Sequence, residues 1–184
     1  MLKIDTAQIV QADEIKKLLN EAYAADKKIG IYFKAADVTT QQVRQHIQTT
    51  PTFVLSQDSK IIGTISVRLP WSANPGPYPC PHLGWIAVAP KYQGLGYAKQ
   101  LIQWAEQHYV LEVLKAPGVT LGTAYEHPWL KRTYFKLGYH PLVIVDKFPD
   151  HRTLYLMKIF DEARLKAKMA PQVTQYYQHE ILIS

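Results

Sequence analysis

Two kinds of hydrophobic pattern alternate along the chain. Short apolar runs rich in β-branched residues are typical of strands, and between them lie segments whose apolar residues recur at helical spacing. This alternation predicts one mixed α/β (α+β) domain with the element order β-α-α-β-β-β-α-β-α-β-β. The predicted strands cover residues 2–8, 52–56, 60–69, 83–88, 119–125, 139–147 and 152–160, and the two later helices cover 97–115 and 128–137.

The first two helices are indicated by signals of their own. Ile15 and Leu18 lie on one face of the first helix, which should end before Gly30. The second helix begins at Thr39, because Gln42 lies three residues later and completes a capping box. Ahead of the strand at 83–88, the stretch "PWSANPGPYPCPH" predicts a stiff irregular loop, since proline cannot donate to a sheet ladder.

Composition narrows the environment and the partners. The chain has 184 residues, enough for one domain with a short appendage, and no apolar run of about eighteen residues that could span a membrane. Its one cysteine, Cys80, cannot form an intramolecular disulfide. The formal charge of +6 favours an anionic ligand, but the basic residues are scattered. We therefore expect a cytoplasmic protein that binds neither nucleic acid nor membrane.

Gly94 and Gly96 stand where the strand at 83–88 leads into the long helix, in "KYQGLGYAKQLI". The first N–H groups of a helix lack partners within it, so a strand, a glycine turn and a helix together form an anion site. Two phosphate motifs fail here. Lys99 is not followed by Ser or Thr, as a P-loop requires, and it occupies the third glycine position of a dinucleotide fingerprint. A tight turn without a ligand would also explain the two glycines.

A third pattern, Arg/Gln-x-x-Gly-x-Gly/Ala, is met by Gln93, Gly96 and Ala98. Together with the preceding "IAV", proline and tyrosine, the stretch resembles the acetyl-CoA-binding motif of the GNAT superfamily of N-acetyltransferases. The predicted element order is similar to that of the family. The resemblance implies the GNAT fold over residues 1–160, a mixed sheet of about seven strands flanked by about four helices. Residues 161–184 would be a C-terminal extension that caps the sheet or contacts a partner.

The resemblance implies acetyl-CoA as co-substrate, and the seven histidines show no metal-ligand spacing. The diphosphate would lie on backbone N–H groups of the turn. The pantetheine arm would pair like an added strand with the end of the fourth strand, where one N–H would stabilise the developing oxyanion. The implied donor-binding residues are Gln93, Gly94, Gly96, Tyr97 and Ala98 in the turn and Ile86, Ala87 and Val88 in the strand.

Direct attack by an amine requires a neutral amine and a protonated leaving thiolate. Tyr134 in "TYFKLGYH" resembles the family's Tyr-x-x-x-Gly-Phe pattern and is the candidate general acid, although it also lies on an apolar stripe and could pack in the core. His82 stands where relatives place a glutamate and is the candidate base, or a loop residue without a catalytic task. Cys80 offers an alternative covalent route. His127 replaces an asparagine that contacts the cofactor in relatives.

The acceptor site should be walled by the loop between the first two helices and by the proline-rich loop. These loops supply four aromatic residues that suit an apolar part of an amine or simply pack, namely Tyr32, Phe33, Trp71 and Tyr78. The implied function is acetyl transfer from acetyl-CoA to a primary amine of a small molecule or peptide, by direct attack in a ternary complex. A longer acyl donor, a non-catalytic acyl-CoA sensor with the same fold and a homodimer all stay open.

Overall fold

A computed structural model describes residues 1–146 and 151–168. Its seven strands are β1 (Leu2–Thr6), β2 (Thr52–Gln57), β3 (Lys60–Arg68), β4 (His82–Val88), β5 (Gly118–Ala124), β6 (His140–Val145) and β7 (Thr153–Ile159). They form one sheet in the order β1-β2-β3-β4-β5-β7-β6. Neighbouring strands are antiparallel except β4 and β5, which are parallel. The predicted mixed sheet of seven strands is confirmed.

The helices also follow the predicted order. They are α1 (Ala12–Lys27), α2 (Thr40–Thr49), α3 (Tyr97–Trp104) and α4 (Leu130–Lys136), with single 3-10 turns at Ile9–Gln11, Lys34–Asp37 and Pro90–Tyr92. The capping box before α2 is confirmed, because Thr39 Oγ1 accepts the Gln42 N–H at 3.2 Å and Gln42 Oε1 accepts the Thr39 N–H at 2.8 Å. Both exchanges satisfy N–H groups that the helix itself leaves without partners.

The predicted helix at 97–115 changes its hydrogen-bond pattern part-way. α3 runs directly into a π-helix over Ala105–Val113, whose turns are wider by one residue than those of an α-helix. The π-helix carries Glu106 inward, where its carboxylate accepts Tyr139 Oη–H at 2.7 Å and Lys158 Nζ–H at 2.6 Å. This buried carboxylate links the helix to β7 and to the residue before β6. The helix predicted at 97–115 is therefore present, although apolar spacing does not distinguish the two helix types over so short a range.

The chain after β7 folds back on the domain as far as it is described. Residues 162–168 are helical, and Leu165 packs against Cys80 and Met157. Arg164 Nη2 donates to the Lys115 carbonyl at 2.6 Å. Two parts of the sequence predictions lie outside the described residues: the end of the strand predicted to reach residue 147, and residues 169–184 of the C-terminal extension.

β4 separates from its parallel neighbour half-way along its length. It pairs with β5 through two residue pairs alone, His82 with Thr120 and Leu83 with Leu121. Beyond them β4 contains one residue more than the facing part of β3, a bulge in which Trp85 takes a φ of +47°. The Trp85 ring stacks on His46 of α2 at 3.6 Å, which supports this strained backbone. The result is a gap between the ends of β4 and β5.

The His46 ring should make stability depend on pH. Burial lowers the pKa of His46 to about 4, and the nearby Arg68 guanidinium adds to the effect. In the unfolded chain the pKa is about 6.5, so the folded state resists protonation. The free energy of unfolding should therefore fall by about 2 kcal/mol as the pH is lowered from about 6.5 to about 4.

His46→Phe keeps a ring against Trp85 and removes the titrating group, so this variant should lose that part of the pH dependence. Urea unfolding of both proteins across the same pH range measures the difference. Unfolding free energies that fall in parallel for the two proteins would contradict the assignment to His46.

Candidate functional site

The glycine turn between β4 and α3 has the backbone shape of an anion site. The φ angles of Gly94 and Gly96 are +77° and +83°, and Gly96 caps α3 without any side-chain acceptor for the first helical N–H groups. A Cβ at either glycine would meet nothing within 4 Å. The left-handed backbone, and not crowding inside the protein, is therefore what requires glycine. The N–H groups of Tyr97 and Ala98 begin the helix behind this turn.

Gln93 ties the turn to the end of β4, because its Nε2 donates to the Val88 carbonyl at 3.0 Å. The Ala89 N–H donates to Ile62 of β3 at 2.8 Å. Backbone groups alternate in direction along an antiparallel strand, so Ala87 also bonds towards β3 whereas Val88 is directed into the gap. Of the β4 residues predicted to hold the donor, Val88 offers backbone groups to the gap and Ala87 uses its own in the sheet.

Four polar side chains meet beside the bulge of β4: Tyr23 and Asp26 of α1, His127 from the turn before α4, and Tyr134 of α4. Tyr23 Oη donates to the Ile86 carbonyl at 2.9 Å. Burial raises the pKa of Tyr134 to about 12, with a further contribution from the Asp26 carboxylate. Burial also raises the pKa of Tyr23, to which Tyr134 and Asp26 add. Both phenols therefore keep their protons at neutral pH and can act as donors.

His127 is fixed by this same cluster. Its Nε2 lies 3.1 Å from Asp26 Oδ1, and its side chain is almost wholly buried. Its Nδ1 is also buried and has no hydrogen-bond partner among the described residues. The ring of Trp129 meets it edge-on at 4.4 Å. The residue that replaces the family's asparagine thus joins α1 to the turn before α4.

His82 lies on β4 and not in the proline-rich loop, so the interpretation as a loop residue is wrong. It is buried, and its Nδ1 lies 2.9 Å from Thr120 Oγ1 on β5. The Thr120 hydroxyl donates to the Pro81 carbonyl at 3.3 Å. When the Thr120 hydroxyl donates to Pro81, its oxygen accepts a proton from His82 Nδ1, and in this tautomer Nε2 carries the lone pair of the ring.

A pocket of about 120 Å³ adjoins His82 on this face of the sheet. Its described lining residues include one arginine and two histidines but no acid, and they are Phe33, Arg68, His82, Gly122, Thr123, His151, Thr153 and Tyr155. A Cβ on Gly122 would lie 3.1 Å from the Tyr155 ring, so this glycine leaves room for that ring. A wider groove of about 770 Å³ between α1 and α2 contains none of the predicted site residues.

The four predicted acceptor-site aromatics have different surroundings. Phe33 lines the pocket. Tyr78 does not line it, but its ring lies 6.5 Å from that of Tyr155, which does. Tyr32 and Trp71 are exposed and lie outside the pocket lining. The structure therefore brings one of the four to the pocket and places a second, Tyr78, next to the lining residue Tyr155.

Cys80 is fully buried, and burial raises the pKa of its thiol. A thiolate is the form that a covalent acyl-enzyme route requires, so this environment disfavours that route. Within residues 1–146 and 151–168, no group of three His, Cys, Asp or Glu side chains is arranged to hold a metal ion. No helix in those ranges is both long and apolar enough to cross a membrane.

Three residues of the site were missed by the sequence analysis: Tyr23, Asp26 and Arg68. Tyr23 lies on the apolar face of α1, where its spacing indicates packing and nothing indicates the bond of its hydroxyl to β4. Asp26 lies in the last turn of α1, one residue before the helix ends, and Arg68 is the last residue of β3. The one available signal was an arginine at the end of a run of buried β3 residues.

Comparison with known proteins identifies the family of the chain. The model of the Acetyltransferase (GNAT) family matches residues 13–139, which is more than half of the chain. The chain belongs to the GNAT acetyltransferase family. The matched range includes the bulge of β4, the glycine turn and Tyr134. The GNAT fold class and the acetyltransferase activity predicted from the sequence are thereby confirmed.

Two curated relatives come from Bacillus subtilis (strain 168). The chain is 38% identical over 147 residues to an S-(2-succino)cysteine N-acetyltransferase, with coverage of 80% of this chain and 89% of the relative. It is 35% identical over 134 residues to an S-alkylcysteine N-acetyltransferase, with coverage of 72% and 75%. A Salmonella typhimurium structure solved with its cofactor acetyl-CoA has the same fold, with a TM-score of 0.67 and 15% identity over 88% of this chain and 95% of that one.

Removing the Asp26 charge should make the Tyr134 phenol more acidic. The carboxylate disfavours a phenolate nearby, so Asp26→Asn should lower the pKa of Tyr134 from about 12 towards the usual value of about 10. NMR of the protein labelled at tyrosine Cζ measures the titration, and Tyr134→Phe assigns the resonance. Asp13→Asn, at the opposite end of α1, is the matched control and should leave the titration in place. An unchanged titration in Asp26→Asn would contradict the electrostatic coupling.

Proposed function

We propose that this GNAT protein transfers an acetyl group from acetyl-CoA to the α-amino group of an S-substituted cysteine. The observation that carries the proposal is the pocket containing Arg68 and His82, because the described part of its lining holds a cation and no acid and so suits an acceptor with a carboxylate close to its amine. The names of the two Bacillus subtilis relatives both specify cysteine derivatives of this kind. A polyamine, by contrast, would meet positive charge there.

Acetyl-CoA is the proposed donor and is a substrate, not a resident group. The family and the Salmonella typhimurium neighbour with acetyl-CoA support this choice. The left-handed turn at Gly94 and Gly96 would receive the diphosphate on the N–H groups that begin α3. Gln93 would keep the turn close to β4. The backbone of Val88 would then pair with the pantetheine arm in the gap.

The reaction forms a C–N bond as the C–S bond of the thioester breaks. The attacking amine loses a proton, and the departing thiolate gains one. His82 is the proposed proton acceptor, because the bond to Thr120 leaves Nε2 as its basic nitrogen. Tyr134 is the proposed proton donor to the thiolate, because burial and, to a smaller extent, the Asp26 carboxylate raise the pKa of its phenol, which stays protonated at neutral pH. A cytoplasmic location and a homodimer stay predictions.

A thiol-release assay with purified protein, acetyl-CoA and a panel of amines tests the acceptor. S-methylcysteine and S-(2-succino)cysteine should give kcat/KM values at least about tenfold above those of spermidine and of a peptide with a free N-terminus, because only an amino acid places a carboxylate beside its amine in the pocket. Mass spectrometry should find the product acetylated on nitrogen.

Release with spermidine or the peptide alone would contradict the proposed acceptor. Binding of coenzyme A without thiol release from acetyl-CoA in the presence of any amine would favour a non-catalytic acyl-CoA sensor. Faster thiol release from a longer acyl-CoA than from acetyl-CoA would identify the longer acyl-CoA as the donor and would leave the proposed acceptor unchanged.

A pair of glycine variants tests the donor site. Gly96 and Gly30 both have a φ near +80°, of +83° and +78°, and a Cβ on either would meet no protein atom within 4 Å. Ala at either position should therefore cost about 1 kcal/mol of stability from backbone strain. Only Gly96→Ala should also weaken binding of acetyl-CoA, by about tenfold, because its methyl group lies where the diphosphate would approach.

Calorimetric titration with coenzyme A and thermal unfolding measure the two effects separately. Equal affinity for coenzyme A in Gly96→Ala and Gly30→Ala would argue against the turn as the diphosphate site.

A further inference from the structure

Arg68 and His82 are direct neighbours on the pocket face of the sheet. Arg68 is the last residue of β3, and its Cα partner across the ladder is His82 at the start of β4. Both side chains line the same pocket. The Cβ atoms of facing residues on antiparallel strands lie about 5 Å apart. One ligand can therefore contact both side chains through two groups that are close together in its covalent structure.

An α-amino acid has this spacing, because one carbon atom joins its amine to its carboxylate. An amine presented to His82 would place the carboxylate next to the guanidinium. A guanidinium binds a carboxylate with two parallel N–H donors, which fixes orientation as well as charge. A free amine without the carboxylate would make the first contact and not the second.

The guanidinium has no charge partner within the described residues, where every ion pair found involves other side chains. Its described hydrogen bond is from Nη1 to Asn74 Oδ1 at 3.3 Å, a neutral partner from the proline-rich loop. Burial lowers the pKa of Arg68, yet arginine stays protonated in proteins. A partly buried cation in a pocket whose described lining has no acid is suited to bind an anion.

We propose that Arg68 binds the α-carboxylate of the acceptor and so restricts the enzyme to amino acids. This inference rests on the proposed function and adds the residue that distinguishes an amino acid from a simple amine. In this arrangement Arg68 contacts the α-carboxylate and not the substituent on sulfur. Acceptors that differ in the S-substituent should therefore depend on the arginine to the same degree.

Arg68 could instead serve only to hold the proline-rich loop through Asn74. Asn74→Ala separates the two roles, because it removes that hydrogen bond and leaves the guanidinium in the pocket. Arg68→Gln keeps a polar side chain of moderate length and removes the charge. The KM for acetyl-CoA reports in each variant whether the donor site is intact.

The test compares S-methylcysteine with its decarboxylated counterpart, S-methylcysteamine, in the thiol-release assay. The wild-type protein should prefer the amino acid by about 100-fold in kcat/KM, the range expected of hydrogen bonds to a charged group. Arg68→Gln should lose most of this preference through a higher KM for S-methylcysteine, with S-methylcysteamine changed by less than about threefold. Asn74→Ala should keep the preference.

A further comparison uses only the wild-type protein, so it does not depend on the folding of a variant. The methyl ester of S-methylcysteine keeps the amine and the S-substituent and lacks the negative charge, so the wild-type protein should use it as poorly as S-methylcysteamine. Equal use of S-methylcysteine and its ester or decarboxylated form would overturn the inference while the proposed function stands. An equal loss on both acceptors in Arg68→Gln would also overturn it. Thiol release with other amines but with no S-substituted cysteine would instead refute the proposed function, and this inference with it.

Discussion

The separation of β4 from β5 after Leu83 is the constraint on which the rest of the site depends. A parallel pair that continued along the whole strand would bury the backbone groups that now face the gap. The bulge at Trp85 turns the end of β4 aside, and neighbouring elements compensate for the bonds that the sheet no longer makes: Tyr23 donates to the Ile86 carbonyl and Gln93 to the Val88 carbonyl. The gap is a specified part of the fold, since separate residues satisfy each carbonyl.

Charge is distributed unequally around this gap. Asp26 lies beside Tyr134 and His127 at the end of α1, whereas the described residues of the pocket next to His82 include Arg68 and no acid. A negative charge near the phenol keeps a proton on it, and a positive charge in the pocket attracts an anionic substrate and disfavours a cationic one. The two local potentials therefore suit two steps of one transfer, protonation of a leaving group and orientation of an incoming amine.

Sequence patterns predicted the elements whose causes are local. The capping box at Thr39 and the glycine turn each depend on a few adjacent residues, and short apolar runs indicate where the strands lie along the chain. The bulge at Trp85, the π-helix after Trp104 and the place of Arg68 opposite His82 depend on register between distant segments. The periodicity of one segment does not show which residue of a distant segment it faces, so no local pattern could reveal them. The roles of Gln93, Tyr134 and His82 in catalysis and binding stay predictions.

The order of the last three strands has a consequence for how the protein is made. β7 lies between β5 and β6, although it leaves the ribosome after both. Strands β1 to β4 can pair in the order of their synthesis, but β5 keeps an unpaired edge and β6 has no neighbour until Ile159 has emerged. Tyr155 and Thr153, which line the pocket beside His82, arrive with that final strand. A nascent chain can thus form the glycine turn and its neighbouring strands early, while the pocket beside His82 forms only when β7 has been translated.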